Sequence, residues 1–316
     1  MGFFYYTDSG EAMRPERAGI KKGLLENEKF LAYLFIAPAA ALIIAFLFYP
    51  VCNVFYYSLQ NYNVLKPWSM GFAGLSNFIT VFTNDRLFPP SLAVSAQWVA
   101  GEVVLQLIFG MAAALLLNTS FKLRGLVRTL MFYPWAISGV LTAMMWALMY
   151  NQNIGILNDI LLRAGIIHSR LAWFASAGSA LPSVMAAELW RGIPFFAIML
   201  LAGLQTIPAE IYEAAEVDGA SSFRKFTRIT LPYLKDSIIL STLLRTAWEF
   251  NNVDLIFNLT GGGPSRATTT LSMYIVNTAN KDLDFGYACA LSTVSFAILL
   301  VFAVFYLKLS GFGKEE

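Results

Sequence analysis

The sequence predicts an all-α membrane protein with six transmembrane helices and both termini in the cytoplasm. Three observations carry this. Of the 316 residues, 57% are hydrophobic and only 13% charged, about half the charged fraction of an ordinary soluble domain. Apolar runs of twenty residues or so recur, the length at which a helix crosses a bilayer. Polar connectors separate them, and the basic residues are unevenly divided among those connectors.

Residues 1–29 are polar and hold Arg14, Arg17, Lys21, Lys22 and Lys29. A signal peptide would place its apolar core earlier and follow it with a small-residue cleavage site, so this stretch reads as a cytoplasmic N-terminal tail. The first span is expected at 30–51. Pro38 and Pro50 are tolerable there, because neighbouring groups in a membrane bundle satisfy the freed backbone. The loop 52–90 is rich in Tyr, Asn and Trp, as suits a membrane–water interface. Further spans are expected at 92–117, 127–150, 182–206, 237–257 and 286–307. Together they make a transmembrane domain over 30–310, followed by a short tail at 311–316.

Charge sets the orientation. The N-terminal tail, the 118–128 connector, the 207–235 loop and the C-terminus hold fourteen of the 22 Lys and Arg. The three opposite loops hold six, and Arg191 and Arg245 lie inside spans. Basic connectors stay cytoplasmic, which places both termini and the 207–235 loop inside.

That loop reads IPAEIYEAAEVDGASSFRKFTRITLPYLK, acidic first and basic afterwards. Pro208 suits a first helical turn and the early acids suit a helix N-terminus. Gly219 interrupts the pattern, Ser221 and Ser222 supply caps for a second helix, and Pro232 is expected to end it. The small Ala214, Ala215 and Ala220 permit close approach by a partner. The expectation is a short helix-turn-helix used for docking, the alternative being an amphipathic loop of no further role.

Glu213-Ala214-Ala215, then Gly219, then Ile229-Thr230-Leu231-Pro232 resembles the EAA motif of ABC importer permeases. The likeness extends from about residue 28 to 310. The segments LFIAPAA, GLSNF, FYPW (Phe132 to Trp135), GLQTIPAEIYEAA and LTGGGP are similar to the carbohydrate-uptake, maltose-type branch of that family. The resemblance implies a type I ABC importer permease fold in a bacterial inner membrane. It implies that 209–232 forms coupling helices seated in a groove of the ATPase, with Glu213, Ala214, Ala215, Asp218, Gly219 and Ala220 at the contact. It also implies the partners: a second homologous permease, two ATP-binding-cassette subunits, an extracytoplasmic solute-binding protein, membrane lipid and a saccharide cargo. Nucleic acid is not a partner, since the basic residues are scattered among loops. No cofactor is expected on this chain. It has no GxxxxGK[ST] phosphate loop, so ATP with Mg belongs to the partner ATPase and the chain itself is not an enzyme.

Arg191 and Arg245 each lie about nine residues into a span, roughly 14 Å deep at 1.5 Å per residue. An unpaired Arg at that depth costs at least ~2.5–3.5 kcal/mol, so each needs a partner or a watery cavity. Glu188 shares a face with Arg191, and Glu249 with Arg245. One reading is two intrahelical ion pairs that only hide charge. The other is a substrate cavity. The resemblance places sugar contacts at Arg191, Gly192 and Phe195 and at Arg245, Trp248 and Glu249, with Trp248 stacking on a pyranose ring. Two arginines hint at an acidic or heavily hydroxylated saccharide. A phosphorylated polyol or other polar solute is the alternative cargo, and an intramembrane enzyme the alternative class. An enzyme would need convergent nucleophile, His or acid groups within spans, and His168, the only His, lies in an outer loop. Glu102 is expected to face another helix, and Cys52 and Cys289 to be free thiols rather than a disulfide.

Overall fold

A computed structural model of the chain describes residues 28–312, and it is mostly helical. Most of the expected tail at 1–29 therefore lies outside the described residues. The described residues fall into two compact units, divided between Asn53 and Val54. The first carries helix α1 (Glu28–Ile43) and a π-helical turn (Ile44–Phe48), and α2 (Tyr49–Ser58) begins in it. The run Ala32–Ser58 is apolar and long enough to cross a bilayer, and none of its most apolar stretch is buried.

The second unit opens with a two-residue hairpin, β1 (Gln60–Asn61) antiparallel to β2 (Gly71–Phe72), and helix α3 (Ser76–Thr83). Helix α4 (Phe88–Asn118) follows, starting where Pro89 and Pro90 need no backbone N–H. Asp85 Oδ1 accepts from the N–H groups of Leu87 and Phe88 at 2.7 and 3.2 Å. Its Oδ2 accepts from Tyr274 and Tyr287 at 2.9 and 2.6 Å, tying this corner to the C-terminal third of the chain. Helices α5 (Arg124–Ala136) and α6 (Gly139–Met149) come next, then α7 (Ile156–Arg163) and α8 (Ala177–Leu204). Ser176 caps α8 by accepting from Ser179 N–H at 3.2 Å.

Helices α4 and α8 pack along their length. Gly110 makes this possible, since a Cβ there would lie 2.4 Å from Phe196 Cβ. Close backbone approach at a small residue is the membrane-helix way of gaining dispersion contact without a hydrophobic drive. Met111, Leu117, Phe196, Leu200 and Leu234 fill one end of the interface, and Trp98, Val184, Ala187, Leu255 and Met273 the other.

Helix α9 (Ala209–Val217), α10 (Ser222–Lys225), a π turn (Phe226–Thr230) and α11 (Leu231–Tyr233) make the next segment. Then come α12 (Lys235–Asn251), α13 (Asp254–Leu259), α14 (Leu271–Asn280) and α15 (Phe285–Ser310). Four described helices are long and apolar enough to span, or five if the α5–α6 pair is one broken span. Two expected spans differ in form. The stretch 127–150 is bent by 101°. Ile137 is extended, and Ser138 caps a new helix by accepting from Leu141 N–H. The stretch 237–257 stops early, because Asn252 is extended and α13 begins separately at Asp254. Cys52 and Cys289 are both free thiols, and His168 is exposed.

Candidate functional site: a buried polar cluster and an exposed helix-turn-helix

Three helices bring their polar residues together. Helix α8 contributes Glu188 and Arg191, α12 contributes Arg245 and Glu249, and α4 contributes Glu102 and Gln106. Both intrahelical pairs form: Arg191 with Glu188 at 2.8 Å and Arg245 with Glu249 at 2.6 Å. A third pair crosses between helices, Arg245 Nη2 to Glu188 Oε1 at 2.8 Å. The cluster is one network rather than two local pairs.

Gln106 is its hub. Its Oε1 accepts from Arg245 Nε at 2.6 Å, and its Nε2 donates to Glu102 at 2.8 Å and Glu249 at 3.1 Å. Trp98 and Asn252 also donate to Glu249 Oε2, at 3.1 and 3.3 Å. Glu102, Gln106 and Glu188 have no exposed surface. Buried charges are held only when paired and hydrogen-bonded, and nearly every oxygen here is. The exception is Glu102 Oε1, which is buried with no hydrogen-bond partner. Glu102 packs among helices, as its place in α4 led one to expect.

A cavity of about 300 Å³ opens beside the network, lined by Glu188, Arg191, Arg245, Trp248, Glu249, Asn252 and Trp135. Four of the six residues expected at a substrate site reach it. Gly192 and Phe195 are not among its lining residues. Gly192 is filler space for the network: a Cβ there would stand 2.3 Å from Gln106 Cδ and 2.5 Å from Arg245 Nη2. Phe195 is buried behind Trp248, ring centroids 5.1 Å apart, with the Arg245 guanidinium 5.9 Å over its ring. Trp248 itself is half-exposed. The charge balance also revises the argument for an acidic cargo. Three carboxylates stand beside two guanidiniums, and each guanidinium already meets a carboxylate. Gln106 was missed by sequence reasoning, although its place four residues after Glu102 puts both on one helix face.

The 207–235 segment forms the expected helix-turn-helix. Gly219 has φ +72, and Ala220 N–H reaches Ala215 O at 2.9 Å while Gly219 N–H reaches Glu216 O at 3.0 Å. This pair of bonds closes α9 with a left-handed glycine. Ser221 caps α10 through Arg224 N–H at 3.3 Å. Tyr212 and Thr230 hydroxyls meet at 2.9 Å across the two limbs, and Lys225 pairs with Glu216 at 2.6 Å. Pro232 does not end the second helix. It sits in the first turn of α11, after the π turn has absorbed the change in hydrogen bonding, so helical backbone continues toward α12. Glu213, Ala214, Asp218 and Gly219 are exposed, and Ala215 and Ala220 are half-buried. The tip also presents Val217 and Phe223, 89% and 77% exposed. The sequence pattern had not singled these two out.

A helical membrane chain with a polar network beside an internal cavity, and a braced helix-turn-helix left uncovered, has the form of a transport subunit. Residues 106–310 match the family described as binding-protein-dependent transport system inner membrane component, and the chain belongs to that family as a permease subunit. It is 38% identical to the trehalose/maltose transport system permease protein MalF of Thermococcus litoralis, over 92% of this chain and 96% of the relative. Identity to the sulfoquinovosyl glycerol transport system permease protein SmoG of Agrobacterium fabrum is 35%, over 90% and 91%. The fold is similar to a chain in the crystal structure of a bacterial ABC transporter involved in import of the acidic polysaccharide alginate. The TM-score is 0.78 at 22% identity, covering 91% of this chain and 97% of that one.

Proposed function

We propose that the chain is one membrane-spanning half of an ATP-binding-cassette importer for a sugar or oligosaccharide. The named relatives carry trehalose or maltose and sulfoquinovosyl glycerol, and the structural neighbour belongs to an alginate importer. The observation that carries the reading is the cavity in which Arg191, Arg245, Trp248 and Glu249 meet at the junction of α8 and α12. An aromatic face beside paired charges suits a polyhydroxylated ring, which offers apolar C–H surface and hydroxyls together. Six membrane crossings, the bent α5–α6 and the shorter α12 among them, put both termini and α9–α10 on the cytoplasmic side of a bacterial inner membrane.

In the mechanism, a solute-binding protein delivers sugar to the outer loops. Two ATPase subunits carrying ATP and Mg grip the α9–α10 element through Glu213 to Ala220. Their closure rocks this chain and a second permease about the cavity, so access alternates between the two sides. The chain positions cargo and transmits motion, and bond chemistry stays with the ATPase.

The test is the assembled importer in lipid nanodiscs with its solute-binding protein. ATP hydrolysis should rise several-fold when the binding protein and its sugar are both present. Hydrolysis indifferent to every sugar and to the binding protein would overturn the reading.

A further inference from the structure

A cavity of about 630 Å³ is separate from the buried cluster, and neither the cluster nor the α9–α10 segment uses it. It lies where the loop before α4, the TGGGP loop and the end of α14 meet. Its walls include Arg86, Arg266 and Lys281. All three are exposed, and among the described residues none forms an ion pair or a side-chain hydrogen bond. Asp282 is the one carboxylate in the wall, so the lining carries a formal charge of two positive.

The floor is built rather than loose. Gly261 and Gly262 take φ +60 and +92, a conformation that favours glycine. Thr269 Oγ1 donates to Gly262 O at 2.8 Å, and a Cβ at Gly262 would stand 2.7 Å from that hydroxyl. The Thr260 and Thr268 hydroxyls meet at 2.7 Å, and Thr268 reaches Gly263 O at 2.8 Å. These bonds fix the loop before any ligand arrives.

A second feature points the same way. Asn277, also in the wall, has its Oδ1 buried with no hydrogen-bond partner. A buried acceptor left unmade is costly and calls for a donor. Three unpaired cations call for an anion. A carboxylate alone answers only half of this, and a neutral sugar only the other half.

We propose that this cavity is a binding site for a hydroxylated carboxylate of the sugar-acid type. The carboxylate lies among Arg86, Arg266 and Lys281, and a ligand hydroxyl donates to Asn277 Oδ1. Selection for negative charge then resides here, while the cluster between α8 and α12, whose guanidiniums are already paired with carboxylates, accommodates the ring. The site is inferred from its own residues; only its place in import rests on the sugar-importer reading.

The experiment is equilibrium binding of sodium glucuronate to the assembled transporter in nanodiscs, with glucose and acetate as comparison ligands. Saturable glucuronate binding is expected, with glucose and acetate at least about tenfold weaker. Arg266→Ala and Lys281→Ala should each weaken glucuronate by about tenfold or more through loss of one charge-assisted contact, and Asn277→Asp by a similar factor through repulsion between its carboxylate and the ligand's. Arg170→Ala, in a different loop, should leave it unchanged. Absence of saturable binding, equal binding of acetate, or unchanged affinity in the three variants would overturn the site. A carboxylate from the solute-binding protein is the other source of the same chemistry. If glucuronate does not bind, and the variants instead blunt stimulation of ATP hydrolysis by that protein, the cavity seats a protein side chain and the proposal fails. Sugar-stimulated ATP hydrolysis by the unaltered importer stands or falls separately.

Discussion

Arg245 on α12 reaches Glu188 on α8 at 2.8 Å while holding Glu249, one turn away on its own helix, at 2.6 Å. One guanidinium therefore joins two helices through two carboxylates. Glu188 in turn is shared with Arg191, so a change at any member is felt on both helices. Separation of α8 from α12 at this level would break the Arg245–Glu188 pair.

The first prediction separates transport from assembly. Arg245→Ala leaves Glu249 buried with only the donors of Trp98, Gln106 and Asn252, and uptake should fall roughly tenfold to a hundredfold. In the double variant Arg245→Leu with Glu249→Leu, the Glu188–Arg191 pair remains and no lone charge is created at the removed positions. This protein should assemble at normal level and still fail to transport. Full uptake by the double variant would show that Arg245 merely neutralises Glu249.

A second prediction concerns Gly192. Its Cβ would stand 2.3 Å from Gln106 and 2.5 Å from Arg245, both fixed by hydrogen bonds. Overpacking of this kind costs about 1–3 kcal/mol. Gly192→Ala should lower the unfolding temperature of the purified complex and depress uptake. Gly178→Ala on the same helix has open space around it and should be neutral or slightly stabilising. Equal behaviour of the two variants would contradict the packing account.

How much of this was legible beforehand differs by scale. Helices α4, α8 and α15 follow their apolar runs closely, because length and hydropathy alone decide a span. The break between α5 and α6 was marked by Pro134 and Ser138 but outweighed by the apolar run around them. The early end of α12 was marked by Asn251 and Asn252 in the same way. Pairings within one helix, such as Glu188 with Arg191, follow from spacing. The Arg245–Glu188 bond and the role of Gln106 depend on how α4, α8 and α12 pack, and spacing says nothing of that. Exposure of Val217 and Phe223 likewise depends on what covers the tip.

Orientation supplies a third prediction. A periplasmic reporter fused after Asn153 or Ser265 should be active, and one fused after Ser221 silent. The opposite pattern would overturn the cytoplasmic placement of α9 and α10.

The fourth prediction is a pH dependence at the α9–α10 tip. The hydrogen bond from Lys225, and then its charge, hold the Glu216 carboxyl below the usual carboxylate range. A folded-state value below the unfolded one adds stability above the unfolded value, and this is lost as pH falls through the folded value. Both groups are solvent-accessible enough for screening to keep the contribution small. In Lys225→Met, the Glu216 resonance in labelled protein should titrate at higher pH than in the parent, and high salt should narrow the difference. An unchanged titration would show that the 2.6 Å pair does not persist in solution.

The last prediction tests the coupling element itself. Glu213 is exposed in the middle of α9, and Gly219 forms the left-handed close that aims α9 relative to α10. A Cβ at Gly219 meets nothing within 4 Å, so its requirement is conformational rather than steric. Gly219→Asn should therefore be tolerated, since Asn adopts the left-handed region with little strain, whereas Gly219→Pro cannot reach positive φ and must distort the turn. Glu213→Ala removes one exposed charge and leaves the backbone intact. Both Gly219→Pro and Glu213→Ala should insert at normal level yet lose sugar uptake. Their losses should differ in kind: Glu213→Ala weakens ATPase association in pull-down, while Gly219→Pro abolishes it. Normal uptake with either variant at normal expression would remove 209–232 from the coupling pathway. Failure of Gly219→Asn alongside Gly219→Pro would mean that the glycine is needed for close approach by the ATPase rather than for the turn.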